Sequence, residues 1–455
     1  MSVFLLGLVS LMFGIISLIY EILDIKKRKS IRIINVFGLM YCLTYGFFTS
    51  IIMLSYEFTE KQFRRIVYTN TMLNSLWVWL VLALVGYFII RFVYELKPTK
   101  LNLKHKSATL ESDIRDCQRL LITSLVCLII GIISLFLWSY AYGGIFELIK
   151  VANTVRSGNN EIKNSLAFFK HPARIVTLVS YVSIILIQKK YKRNLNVFLF
   201  VVSFIFSILY LFASDGRLSM AMYLVILILI GFRIFTDNTK FNKKIFLLCI
   251  TAIFALMLIM RMDFITNYIR TGDNLDADSN FVFDSILDEF AYVIVAGQNS
   301  SNLWLTEGSP FLIVHDIMSG IFAWFPSSIK PGDFINIWDY NTQSCQMTNL
   351  YSGQWPTDFV STSIYTLGLF GIFVFGAFWG RVIRQIDEQR NNNSLFFDVV
   401  YYSLSMAFLR LVDYCMLYNF ILGIFYIFVA FVVWKITAWL VPKKQISNNV
   451  VVLGE

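Results

Sequence analysis

The chain has 455 residues, of which 57% are apolar and 15% charged, with a net charge of +10 and a mean hydropathy of +0.66. Soluble domains average about 45–50% apolar and about 25% charged residues, so the composition excludes a soluble globular domain and a disordered chain alike. A helix needs about 20 mostly apolar residues to cross the hydrocarbon core. On that criterion the sequence predicts an all-α polytopic membrane protein with eleven spans, centred near Met12, Leu43, Leu82, Ile130, Ser180, Phe204, Ile226, Ala255, Val374, Leu404 and Val429. The first begins at Met1 with no basic run before it and no small-residue cleavage site after it, so it reads as a retained span and not a signal peptide.

Cytoplasmic loops retain Lys and Arg. With the N-terminus outside, the cytoplasmic segments hold 26 of the 39 Lys and Arg, which selects that orientation and puts the C-terminus inside. The net positive charge is then a topology signal and gives no reason to expect nucleic-acid binding. The only long stretch without enough consecutive apolar residues to cross is 262–358, and this orientation places it outside. It divides the chain into a membrane domain of spans one to eight (1–261), a large external loop (262–358), and spans nine to eleven with a cytoplasmic tail (359–455). The loop carries twelve Asp and Glu against Arg270 and Lys330, and a long ordered loop on a membrane scaffold is a place to meet a polar substrate. Its apolar positions at Phe283, Ile286, Leu287, Phe290, Val293 and Ile294 follow helical spacing, which predicts short amphipathic helices over the outer mouth of the bundle.

In chain order, Glu21 and Arg91 fall near cytoplasmic helix ends, where snorkelling accounts for them. The external loop 141–171 carries Lys150, Arg156, Lys163, Lys170 and His171; this is either a solvated face or a docking surface for an anionic headgroup. His171 stands directly before Pro172 and suits a helix cap as well as it suits catalysis. The turn between spans six and seven reads Ala213-Ser214-Asp215-Gly216-Arg217. There Asp215 can cap the next helix, Gly216 lets the backbone approach a ligand, and Arg217 joins the positive end of the helix dipole, an arrangement that favours a bound anion. Arg261 ends the eighth span, and Arg410 with Asp413 marks the outer end of the tenth.

Within the large loop, His315 and Asp316 form the most acid/base-like pair, and Trp324 and Lys330 flank an aromatic, proline-punctuated stretch. Such aromatic faces suit sugar rings and interfacial anchoring equally. The loop closes at Trp355-Pro356-Thr357-Asp358, and the small residues of Leu367-Gly368-Leu369-Phe370-Gly371 permit close helix packing. Six scattered cysteines without a CxxC pair indicate neither a disulfide framework nor a zinc site. No compact carboxylate motif of the kind that holds a divalent ion is visible, so neither a metal nor a cofactor is expected.

The span pattern with one large late external loop, Arg217 in a small-residue turn before a span, the stretch from Trp324 to Pro331, Pro356-Thr357 leading into a glycine-rich span, and Arg410 near an outer helix end together resemble the oligosaccharide repeat unit polymerases, the Wzy family that builds O-antigen, common antigen and capsule chains. The resemblance implies a GT-C-like membrane glycosyltransferase architecture in a bacterial cytoplasmic (inner) membrane. It implies transfer of a growing glycan from undecaprenyl pyrophosphate onto a new lipid-linked repeat unit, with a chain-length regulator and a flippase as partners. Arg217, His315 and Asp316 are then the catalytic candidates. Asp215, Arg261, Arg410, Lys163, Lys170, Trp324 and Lys330 are the substrate-binding ones. An O-antigen ligase, which shares donor and architecture, and a flippase or other transporter stand as alternatives. A transporter would be expected to show internal repeats and charged residues within the spans near mid-membrane, whereas here most charges cluster at the outer boundary. The topology is checked by reporter fusions after Lys444, which are expected to be active on the cytoplasmic side alone.

Overall fold

The computed structural model describes residues 2–55, 70–96, 110–152, 155, 165–214, 216–231, 279–325, 334–347, 355–389 and 395–440, and no strand occurs among them. The principal helices are α1 (Val3–Arg28), α2 (Ile33–Leu54), α3 (Asn70–Glu95), α4 (Leu110–Tyr140), α5 (Ile175–Gln188), α6 (Arg193–Ser214) and α7 (Arg217–Gly231). After 278 come α8 (Ser279–Glu307), α9 (Ile313–Phe322), α10 (Ile337–Met347), α11 (Phe359–Leu367), α12 (Gly371–Gln389), α13 (Leu395–Arg410) and α14 (Leu417–Leu440). Helices satisfy their own backbone groups, which is why an apolar chain of this kind folds into them. Eight segments of the described residues are long and apolar enough to cross a membrane, each coinciding with one of the eleven expected spans. Two further expected spans are the shorter α7 and α13, and the one near Ala255 lies outside the described residues.

Side-chain ties give the bundle a consistent polarity. We call the end carrying Asp387 the lower end. There Arg28 on α1 meets Glu95 on α3, and Asp387 on α12 accepts from Ile33 N of α2 (3.1 Å), Tyr94 of α3 (3.0 Å) and Tyr401 of α13 (2.8 Å). Glu21 and Arg91 do not snorkel: both are buried. Arg91 Nη2 lies 3.3 Å from Glu21 and 3.1 Å from Asp24, while Asn35 Nδ2 donates to both carboxylates at 3.0 and 2.8 Å. At these helix ends the charges are more cheaply paired with one another than solvated individually, because α2, α3 and α12 close over them.

Small residues set the closest helix crossings. Gly14 of α1 and Gly46 of α2 stand backbone to backbone, with no room for a Cβ on either. Gly380 lets α12 lie on α3, since a Cβ there would come within 2.6 Å of the Ile90 carbonyl. The segment Phe359–Gln389, long enough for one span, is instead a hairpin. The chain breaks at Gly368, whose φ of +66° is left-handed, a conformation open to glycine without steric cost. Phe359, at the start of α11, packs its ring 6.1 Å from Tyr41; Gly86, beside Ile372 at the start of α12, also abuts the Tyr41 hydroxyl. A straight helix would separate residues 363 and 371 by about 12 Å, yet the Gly371 backbone lies directly against the Ser363 carbonyl, so the chain turns back on α11.

The described part of 262–358 is helical and shares the core of the spans. Leu287, Phe290, Val293 and Ile294 are buried as their helical spacing predicts, but on a single 29-residue helix in place of several short ones. Phe290 stacks on Phe48 of α2 with ring centroids 3.9 Å apart, and Gly297 admits the Trp79 indole against its backbone.

At the hairpin, a Cβ on Gly371 would overlap the Ser363 carbonyl. Overpacking of this kind typically costs about 1–3 kcal/mol. Gly371→Ala is therefore expected to lower the thermal midpoint of the purified protein in detergent, whereas Gly231→Ala, with nothing within 4 Å, is expected to leave it unchanged.

Candidate functional site

Three aspartates gather where helices begin in the interior. Asp358 is the N-cap of α11 and is fully buried. It accepts from the Tyr45 hydroxyl (2.7 Å), Trp79 Nε1 (3.0 Å), Val360 N (3.2 Å) and Ser361 N (3.3 Å), and from the Ser361 hydroxyl. Asp413, also buried, accepts from the Thr44 hydroxyl at 2.7 Å. Thr44 and Tyr45 are consecutive, diverge as neighbouring side chains on a helix do, and so reach two different carboxylates from the π-helical stretch Cys42–Phe48 of α2. The wider turn changes the side-chain phase, and such turns recur at functional sites. Backbone pairs seal the junction: Phe359 N donates to Val412 O and Cys415 N to Thr357 O, at 3.1 and 3.0 Å. Asp316, fully buried on α9, accepts from Ile337 N (3.0 Å) and Tyr418 N (3.1 Å), so a single carboxylate caps both α10 and α14.

The expected catalytic pair therefore separates. Asp316 points inward, and each of its oxygens accepts a helix-start amide. His315 points the other way, is exposed, and packs against the Phe334 ring at 5.8 Å. Trp324 is not an open sugar platform. Its Nε1 donates to Ile421 O at 3.1 Å, and its ring packs on Phe425 and Phe428 of α14 at 5.2 and 5.6 Å. Lys170 begins the one-turn helix Lys170–Ala173 that leads into α5. Asp215, Arg261, Lys163 and Lys330 lie outside the described residues, and Arg217 is placed by its backbone as the first residue of α7, after Gly216 at φ +83°.

Arg217 and Arg410 nevertheless belong to one end of the bundle, together with Arg174, three residues beyond the basic external stretch 141–171. Helices α5, α7 and α13 pack against one another across a layer in which Ser180 bonds Tyr223 (2.7 Å), Tyr181 lies against Tyr223 (5.7 Å between centroids), and the Tyr181 hydroxyl donates to Met406 Sδ (3.6 Å). Gln188 Nε2 reaches Ile230 O at 2.7 Å, so α5 and α7 run in parallel. Tyr401 at the lower end shows that α13 runs the opposite way. Arg174, Arg217 and Arg410 each stand one to two helical turns beyond this layer on the upper side. Two of their guanidinium planes are held against aromatic faces, Arg174 over Tyr426 at 5.4 Å and Arg410 over Tyr414 at 4.9 Å.

Among the described residues no group of three His, Cys, Asp or Glu could hold a metal ion. The five described cysteines are free and buried. Burial pushes the Cys345 thiol up to about 12, which leaves no thiolate for nucleophilic chemistry. The fold and its buried polar junction define a multi-pass helical membrane protein. No family model, no curated protein and no solved structure matches the chain.

Asp358→Ala would strand the Tyr45, Trp79 and backbone donors in the interior, a loss on the order of 3 kcal/mol. In thermal melting in detergent, Asp358→Ala is expected to be clearly less stable than Asp358→Asn, which retains one acceptor oxygen.

Proposed function

We propose that the chain is a membrane glycosyltransferase of the repeat-unit polymerase type, joining undecaprenyl-pyrophosphate-linked oligosaccharides at the upper face, which is then the outside. The observation that carries this reading is the set of three arginines, Arg174, Arg217 and Arg410, at the same end of three mutually packed helices. A planar guanidinium binds phosphate oxygens through paired N–H donors and stays charged at any relevant pH. Pyrophosphate needs little further activation as a leaving group, so such a site contributes by positioning the donor and stabilising the charge that develops on the departing oxygen. The acceptor hydroxyl attacks the anomeric carbon, the bond to pyrophosphate breaks, and the hydroxyl proton passes to a base. With Asp316 committed to capping, His315 is the proposed base from the described loop.

A transporter of lipid-linked sugar is the second reading, favoured by one specific feature. Glu21, Asp24, Arg91 and Asp387 are ionisable, buried and within apolar helices, as intramembrane transport residues are, although they sit at the lower helix ends and not at mid-depth. The glycan profile of a deletion strain separates the two: single capped repeat units point to polymerisation, and their complete loss to a flippase or ligase.

On the polymerase reading, Arg174→Ala, Arg217→Ala and Arg410→Ala at matched expression are each expected to shorten the glycan. Loss of one charge-assisted contact to the leaving group costs on the order of 3 kcal/mol, roughly a hundredfold in rate. Arg217→Lys is expected to rescue poorly, and a chelator to leave the wild type unaffected. Full-length polymer from all three alanine variants would overturn the arginine site.

A further inference from the structure

The segment 262–358 is, by composition, an external loop, yet α9 within it runs beside a membrane span. Three contacts along its length set its course. Asp316 bonds Tyr418 N at 3.1 Å, Gly320 abuts Tyr418 and Ile421, and Trp324, just beyond the helix, reaches Ile421, Phe425 and Phe428. Successive residues of α9 thus meet successively lower residues of α14. The lower course of α14 is fixed independently, because Trp434 stacks on Phe396 near the start of α13 and Thr437 meets Thr123 of α4. Between Tyr418 and Phe428 lie ten residues, about 15 Å of descent.

The two faces of α9 differ sharply. Leu312, Asp316, Gly320 and Ala323 are buried and point into the protein. Val314, Ile321 and Phe325 line the opposite side with exposures of 62%, 41% and 47%. Along α14 the large exposed apolar residues begin at Phe428 and continue through Phe431, Val432, Ile436 and Trp439. Above Phe428, α9 covers that side of α14 and presents its own apolar stripe in its place, so the two stripes form one continuous wall. The one carboxylate of α9, Asp316, is turned inward and consumed by two helix starts, so it does not oppose an apolar surrounding.

We propose that α9 is a re-entrant helix that descends into the bilayer, its first turn with Val314 and His315 at the upper boundary and Ile321 and Phe325 in contact with lipid acyl chains. A helix that covers a span and continues its lipid-facing surface is buried from water on one side by protein and on the other by lipid. This placement does not depend on the chemistry of the arginine site.

The test is spin-label accessibility in the full chain, reconstituted in phosphatidylcholine/phosphatidylglycerol nanodiscs open to reagents on both faces, with the unsubstituted chain as blank. Labels at Ile321→Cys and Phe325→Cys are expected to collide more with oxygen than with a soluble nickel chelate, giving the same positive depth parameter as Phe428→Cys on α14. Lys150→Cys, at the exposed end of the short helix Ile145–Lys150 beside Glu147, is expected to give the opposite sign. If Ile321→Cys or Phe325→Cys fails to fold, judged by circular dichroism, the other decides. Nickel-dominated collisions at 321 and 325 while 428 remains oxygen-dominated would overturn the proposal, and so would labels there that behave like Lys150→Cys.

Discussion

The arrangement depends on a carboxylate held in the interior. Asp358 gathers donors from α2, from α3 and from its own helix. A carboxylate in that position is tolerated because five donors replace its water, and it is demanding for the same reason, since each donor would be left unsatisfied without it. Asp413 and Asp316 repeat the device on a smaller scale. Together they fix where α10, α11 and α14 begin, and so where the chain can turn without exposing backbone to an apolar surrounding.

At the opposite end the logic is different. Glu21, Asp24, Arg91 and Asn35 form a closed charge network, and Asp387 ties the amide start of α2 to two tyrosines. Each of these groups interrupts an otherwise apolar helix, and each is matched locally. The bundle is therefore pinned at two levels by polar contacts, while the stretch between them is held by packing of glycine and aromatic residues. Non-directional burial cannot choose one rotation of a helix over another, but hydrogen bonds at both ends can.

Much of this was legible in the sequence. Hydropathy located the long spans, and helical spacing located the buried face of α8, because both depend on side chains that act one by one. The helix start at Arg217 and the helix end at Arg410 were legible for a similar reason: charge at a helix end is a local signal. What was hidden is relational. Asp358 read only as the close of the loop and Asp316 as half of an acid/base pair, because nothing in the neighbouring residues reveals that helix starts and donors from elsewhere converge on them. Gly368 and Gly371 signalled close packing, but not that the helix on one side would reverse onto the other. Arg174 was masked by the more conspicuous Lys163, Lys170 and His171 around it, and only the pairing of α5 with α7 and α13 distinguishes it.

The hairpin of α11 and α12 also bears on how sidedness is counted. Hydropathy registers Phe359–Gln389 as a single crossing, and in terms of parity that count is right, although much of the apolar length does not cross. The shorter arm dips in and returns, contributing hydrophobicity without exchanging one compartment for the other. Any topology derived from the number of apolar residues in this region would overcount, whereas one derived from alternation of compartments would not. The one crossing that this region can supply is then α12, and α11 adds apolar length beside it.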